Sequence, residues 1–153
     1  MPQYKEHIVA SVVAYSVILL IFSLYKASPL YLLEWLCWAI LGGLFPDIDI
    51  KSKGQKLLYR LLALVIIYLA IYERFQLLSV ICLVACFPLM VNHRGIFHEL
   101  WFLLVLVVSG AAITISRYPC STCPIILRSL FFFAGVTSHV WLDIGLRKML
   151  KLK

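Results

Sequence analysis

Charged residues are scarce in this chain. Only 14% of its 153 residues are Asp, Glu, Lys or Arg, whereas a soluble domain has about a quarter, and 63% are hydrophobic. A folded chain with so few charged residues could not keep this many apolar side chains away from water. The composition therefore excludes a soluble globule and predicts an integral membrane protein. At this length about six membrane helices fit with short connections, so we expect a single membrane-embedded domain over residues 1–153 and no separate soluble module.

Hydrophobic runs divide the chain into six candidate membrane helices. They cover residues 8–25, 30–45, 57–72, 75–91, 100–116 and 125–145. Backbone polar groups inside lipid must be satisfied within the segment, so helices are expected throughout, and the predicted fold class is an all-α polytopic membrane protein with about six transmembrane helices. The first run carries no clear small-x-small cleavage site, so it predicts a retained helix rather than a signal peptide. The Tyr72-Glu73-Arg74 break requires a tight hairpin, which leaves open whether the 57–91 segment spans fully.

Basic residues are unevenly distributed along this topology. Six helices place both termini on one face, and that face carries ten of the fourteen Lys and Arg residues. By the positive-inside rule this face and both termini are cytoplasmic, which predicts a multi-pass membrane protein with both ends in the cytoplasm. The same rule accounts for the net charge of +7, so we do not expect nucleic acid as a partner.

Histidine and aspartate are rarer still, with four His and three Asp in the whole chain. They form four short polar clusters, and the six-helix topology brings all four to the predicted cytoplasmic face. Scattered polar residues would be expected to divide between the two faces. We therefore predict one metal site at this face, and its candidate ligands are His7, Asp47, Asp49, His93, His98, His139 and Asp143.

Two of the clusters have spacings that suit a metal ion, although each also has a simpler explanation. His139 and Asp143 are four residues apart, so on a helix they share one face and can hold one ion between them. A stabilising hydrogen bond between the two is the alternative. Asp47 and Asp49 follow Pro46 at the end of an apolar helix, and such close carboxylates repel each other unless a cation lies between them. A helix cap followed by a solvated turn is the alternative.

The third cluster contains His93 and His98, whose separation of five residues does not fit one helical face. A break at Gly95 would turn both imidazoles inward at little steric cost. Arg94 would then lie where its planar guanidinium can bind an anionic substrate group. A charge that only sets the membrane topology is the alternative for Arg94.

Imidazole and carboxylate ligands without thiolates favour zinc, with manganese as the alternative. Seven ligands exceed the needs of one tetrahedral ion, so we expect one to three divalent ions, and two ions with a bridging carboxylate fit best. Three further residues adjoin candidate ligands and are candidates for hydrogen bonds to them: Glu6, Glu99 and Ser138. Cys120 and Cys123 share a short loop, as a disulfide if that loop faces an oxidising compartment or as free thiols if it does not.

Three motifs taken together resemble those of the YdjM-like, membrane-bound, metal-dependent hydrolases. They read Leu-Phe-Pro-Asp-Ile-Asp, His-Arg-Gly-Ile-Phe-His and Ser-His-Val-Trp-Leu-Asp, in that order after an N-terminal His, and the resemblance covers nearly the whole chain. It implies an inner-membrane protein, associated in one description with binding to the LexA repressor. It also implies phosphoester hydrolysis at a clustered zinc site on the seven ligands named above. More remotely, the chain is similar to the all-helical zinc phospholipase C and single-strand nuclease group.

One motif departs from the family pattern. The family motif reads His-Arg-Gly-x-Thr-His-Ser, whereas Phe97 and Glu99 flank His98 here, which removes two hydroxyls and adds a carboxylate. We expect this departure to affect substrate selection and metal preference more than the identity of the metal ligands.

We therefore expect an inner-membrane hydrolase that cleaves a phosphoester with a metal-activated water at the cytosolic face, and a membrane phospholipid is the expected substrate. Asp47 or Asp49 would bridge ions or accept the proton, and Arg94 would hold the phosphate. One alternative is a metal-ion or proton-coupled transporter, whose His and Asp residues would line a path. Another is a non-catalytic membrane protein in which the metal only holds helices together. Membrane lipid is the expected partner, and the sequence leaves the protein partners unknown.

Overall fold

The computed structural model describes residues 4–49, 53–90 and 99–145, which form six α-helices and three short 3₁₀ turns without a β-strand. The turns cover Leu24–Lys26, Phe45–Asp49 and Pro119–Ser121. The helix bounds follow the apolar runs to within a few residues, so the six-helix prediction is confirmed. The helices are α1 (Tyr4–Ile21), α2 (Pro29–Leu44), α3 (Lys53–Ile71), α4 (Phe75–Met90), α5 (Leu100–Arg117) and α6 (Thr122–Ile144).

Five segments of the described chain are long and apolar enough to cross a membrane. They correspond to α1, to α2 with the turn that follows it, to α3, to α5 and to α6. The outward faces of these helices are covered with large apolar side chains, such as Leu64 and Val105, which are exposed. A surface of this kind is stable against lipid and not against water. The protein is therefore a polytopic all-α membrane protein.

The break between α3 and α4 is a tight hairpin, as the sequence predicts. Glu73 adopts the left-handed conformation with a φ of 53°. Its amide donates to the Ala70 carbonyl at 3.2 Å, and the Arg74 amide donates to the Leu69 carbonyl at 2.9 Å. These two bonds form a Schellman motif, which satisfies the last carbonyls of α3 and reverses the chain. As described, α4 has 16 residues and covers about 24 Å, less than the roughly 30 Å apolar core of a bilayer.

Helices α1, α2 and α6 form the centre of the bundle, and the α3–α4 hairpin and α5 lie around them. Glu34 near the start of α2 pairs with Arg128 near the start of α6, whereas Gly43 and His139 meet near the ends of the same two helices. Helices α2 and α6 are therefore parallel. Helix α1 runs antiparallel to both, because His7 at its start lies beside His139.

Three glycines allow the central helices to approach at backbone distance. A Cβ atom on Gly135 of α6 would overlap the carbonyl oxygen of Ala39 in α2, and one on Gly42 would overlap the carbonyl oxygen of Phe132 in α6. A Cβ on Gly43 would overlap the hydroxyl of Ser11 in α1. Small residues are favoured where membrane helices cross because lipid supplies no hydrophobic force between them, and close packing takes its place.

The glycine contact predicts a strong dependence of stability on residue size. Gly135→Ala should destabilise the protein by about 1–3 kcal/mol, because the added methyl meets backbone that cannot rotate away. Gly110→Ala on α5 is the matched control, since no heavy atom lies within 4 Å of the added carbon. Thermal unfolding of both variants in detergent checks the prediction, and equal melting temperatures would contradict it.

The Glu34–Arg128 pair predicts a charge-swap rescue. Arg128 Nε donates to Glu34 Oε1 at 2.7 Å, and both side chains are partly buried. Glu34→Arg or Arg128→Glu alone should cost about 1.5–3 kcal/mol, because each leaves like charges together in an apolar setting. The double variant restores opposite charges and should recover most of the loss in the same unfolding assay. A double variant as unstable as the sum of the singles would refute the role of the pair.

Candidate metal centre

Four of the predicted ligands meet at one end of the central three helices. His7 lies in the second turn of α1, Asp47 in the 3₁₀ turn after α2, and His139 and Asp143 in the last turns of α6. The two imidazoles are deeply buried, His7 with 2% and His139 with 0% of its surface exposed, and Asp47 is 9% exposed. Among the described residues, His7, Asp47 and His139 form a group whose potential ligand atoms all lie within 4.8 Å of one another.

The separations of these atoms suit a shared ion. His139 Nε2 lies 3.2 Å from Asp143 Oδ2 and 3.5 Å from Asp47 Oδ1, and His7 Nε2 lies 3.6 Å from Asp143 Oδ1. Zinc binds nitrogen and oxygen at about 2.0–2.2 Å, so two ligands of a tetrahedral ion are about 3.3–3.6 Å apart. Two of the three separations are too long for a good hydrogen bond and match this spacing instead.

The orientation of His139 is fixed by a backbone carbonyl. Its Nδ1 lies 2.6 Å from the carbonyl oxygen of Gly43, and a carbonyl can only accept, so Nδ1 must carry the proton. In a neutral imidazole Nε2 then presents its lone pair toward Asp47 and Asp143. A bond of this kind from the second ring nitrogen commonly orients a metal-binding histidine.

The carbonyl of Gly43 can accept this bond partly because of Pro46. Gly43 lies in the last turn of α2, where carbonyl oxygens begin to lose their intrahelical donors. In the 3₁₀ turn that follows, residue 46 would donate to residue 43, but Pro46 has no amide hydrogen. The Pro46 side chain is fully buried. The Gly43 oxygen therefore has one potential backbone donor fewer, and His139 donates to it.

The two imidazoles are stacked, and Asp143 lies across them. Their ring centroids are 3.8 Å apart with an interplanar angle of 15°. One oxygen of Asp143 faces His7 and the other faces His139. Parallel rings this close are accommodated best when both are neutral, which is also the form that binds metals.

His7 also has a buried nitrogen that the described residues do not satisfy. Its Nδ1 atom is inaccessible and has no hydrogen-bond partner among them. A buried polar atom without a partner is costly. The ligand spacing described above uses the other ring nitrogen of His7, Nε2, so it is the donor set and its spacing that fit a divalent metal ion.

The surroundings hold the ligands at the helix ends. Ser11 donates to the His7 carbonyl at 2.8 Å and lies 3.5 Å from the hydroxyl of Ser138, which bonds the Gly135 carbonyl at 2.7 Å. Gln55 of α3 donates to the Ile48 carbonyl at 2.8 Å. This last bond ties the turn that carries Asp47 to the α3–α4 hairpin.

A family model described as YdjM inner membrane protein matches residues 1–148. The chain belongs to the YdjM inner membrane protein family. No curated protein and no solved structure matches it. The YdjM match spans all six helices and every predicted ligand, so the family resemblance read from the motifs is confirmed. The more remote similarity to the zinc phospholipase C and nuclease group stays a prediction.

Six further predicted site residues of this YdjM protein are either exposed or fall, wholly or by their side chain, outside the described residues. His93, Arg94 and His98 lie outside the described residues. Asp49 ends the 3₁₀ turn after α2, but its side chain also lies outside them. Glu99 is exposed at the N-cap of α5, and Glu6 is exposed on α1 beside His7. The roles assigned to these six residues stay predictions, as do the ligand roles of the four residues that the structure brings together.

Sequence reasoning missed the part of the YdjM site that is made of backbone. The Gly43 carbonyl that orients His139 has no side chain to reveal it. A signal was nevertheless present, because Gly42 and Gly43 in one apolar run and Gly135 in another are typical of a helix crossing. Glu34 and Arg128 were missed as well, although an acidic residue in the 30–45 run and a basic residue in the 125–145 run indicate a pair.

The ligand geometry predicts that metal content depends on α6. His139→Ala and Asp143→Asn should each weaken metal binding at least about tenfold, because each removes or weakens one candidate ligand of a tetrahedral ion. Glu73→Gln, in the exposed turn at the opposite end of the bundle, is the control and should retain the metal. Metal analysis of the purified proteins, with circular dichroism as a check on folding, measures the effect. Unchanged metal content in both folded α6 variants would rule out this centre.

Proposed function

We propose that this YdjM protein is a metal-dependent hydrolase that cleaves a phosphoester bond at the cytosolic face of the inner membrane. The observation that carries the proposal is the convergence of two buried imidazoles and two carboxylates, at the spacing of metal ligands, at one end of a membrane bundle. We infer zinc as the metal, one to three ions in number, because every assigned ligand is an imidazole or a carboxylate.

The burial of the ligands gives the site a closed side and an open side. The side chains of His7 and His139 are 2% and 0% exposed, whereas those of Asp143 and Asp47 are 15% and 13% exposed. Substrate would therefore approach past the carboxylates. A divalent ion held there supplies Lewis-acid polarisation of the phosphoryl group and activation of water.

The remaining steps fall to side chains of this chain. Asp47 lies at the more open side and can accept a proton from water, with Asp49 as the neighbouring candidate. Arg94 would bind the phosphate through its planar guanidinium, a role that rests on the motif and its charge. His139, held by Gly43, keeps its lone pair directed toward the carboxylates throughout.

The location of the site favours a lipid substrate. Trp101 at the start of α5 and Trp141 in the last turn of α6 are both more than half exposed at this end of the bundle. Tryptophan is enriched at the level of the lipid headgroups. His139 and Asp143, which lie on either side of Trp141 along α6, are then at headgroup depth, where the phosphoester of a phospholipid lies. The excess of basic residues that the sequence pattern assigns to this face supports the proposal that it is cytosolic.

A structural metal site is the second candidate, and the burial of the imidazoles is the observation that favours it. His7 and His139 join α1 to α6, and Asp47 adds the end of α2, so one ion would link three helices. In that case the metal would stabilise the fold without taking part in a reaction. A transporter is supported less, because the described ligands gather at one end and do not continue along the bundle.

A hydrolysis assay distinguishes a metal-dependent hydrolase from a protein with a structural metal site. The protein purified with zinc should release product from a panel of phosphodiesters and phospholipids, and Asp47→Asn should lower kcat by about 100-fold or more through loss of the proton acceptor. Glu73→Gln should leave the rate unchanged. A protein that binds metal stoichiometrically but cleaves nothing, and whose Asp47 and His139 variants only melt at lower temperature, would establish the structural role instead.

A further inference from the structure

Cys120 and Cys123 form an exposed pair at the opposite end of the bundle from the metal centre. Cys120 lies in the 3₁₀ turn Pro119–Ser121, and Cys123 is the second residue of α6. All five cysteines are free, and both members of this pair are exposed. The other three lie within α2 and α4, among apolar side chains that face lipid.

The local backbone geometry predicts that the two side chains lie on the same side of the chain. The Ser121 amide donates to the Tyr118 carbonyl at 3.0 Å, and the Thr122 amide donates to the Pro119 carbonyl. The Thr122 hydroxyl also bonds the Pro119 carbonyl, at 2.6 Å. In a 3₁₀ turn the side chains of residues i and i+3 lie almost over each other. Helical residues three apart also have Cα atoms about 5 Å apart, within the range that a disulfide spans.

This pair of cysteines is a poor metal-binding site. Zinc needs four ligands, and two thiolates supply only half of them. Within the part of the chain that the structure describes, the group of potential ligands contains His7, Asp47 and His139 and no cysteine. Prolines on both sides of the pair, Pro119 and Pro124, restrict the local backbone.

We propose that Cys120 and Cys123 are a reversible dithiol site that exchanges with disulfides in the compartment on that side of the membrane. The Cys120 or Cys123 thiolate attacks a disulfide of low molecular weight or of a protein, and one half of the oxidant leaves as a thiol. The second cysteine then attacks the mixed disulfide, which closes the Cys120–Cys123 bond and releases the other half. Two protein thiols are oxidised, one disulfide is reduced, and the two protons leave with the released thiols.

Glutathione is the probe for this site. The reduced full-length protein in detergent is equilibrated in buffers of varied ratio of reduced to oxidised glutathione, quenched with acid, alkylated with N-ethylmaleimide and analysed by peptide mapping. The intramolecular disulfide should rise with the oxidised fraction and disappear again in excess reductant. The control Cys37→Ser should behave as the parent protein.

Single variants make the result decisive. In Cys120→Ser and in Cys123→Ser the remaining thiol has no partner, so it should stop at a mixed disulfide with glutathione. If both thiols of the parent protein stay alkylated at every ratio, the proposal is wrong. It is equally wrong if the parent protein accumulates mixed disulfides or crosslinks between chains in place of the internal bond. None of these outcomes depends on hydrolysis or on metal content.

Discussion

The backbone contact between α2 and α6 is the constraint on which the rest of the structure depends. Gly42 and Gly135 leave no room for a side chain between these helices. The axes therefore come close enough for a ring on α6 to bond a carbonyl on α2, as His139 does with Gly43. A wider crossing would lose that bond and separate Asp47 from Asp143. In lipid, where apolar surface gains little from association, such close packing provides both stability and alignment.

Much of the fold could be predicted from the sequence, because lipid imposes strict rules on length and hydrophobicity. The apolar runs located all six helices, and the turn at Glu73 was expected as a tight hairpin. The rule that alternate helix ends share a face also brought His7, Asp47, His139 and Asp143 together correctly. The pairing of α2 with α6 could not be predicted in this way, since apolar periodicity in a membrane helix does not indicate which other helix it packs against.

The site was harder to predict than the fold because part of it carries no side-chain signal. Imidazoles and carboxylates are conspicuous in a chain with so few of them, and their chemistry is the basis of the metal prediction. A carbonyl from Gly43 and a hydroxyl from Ser11 can be assigned only when distances are known. Helix α6 is important for the same reason. It provides two candidate ligands at one end, the partner of Glu34 near the other, and the exposed thiol of Cys123 at its start.

Pro46 has no amide hydrogen, and this absence affects a side chain on a neighbouring helix. Any other amino acid at this position would bring an amide hydrogen close to the oxygen that accepts from the imidazole of α6. The surroundings of the carbonyl that selects the His139 tautomer therefore depend partly on a residue that has no donor and no charge. Variation at this position in related chains should accordingly be judged by what it does to a ring on another helix, and not by the size or polarity of the substituted side chain.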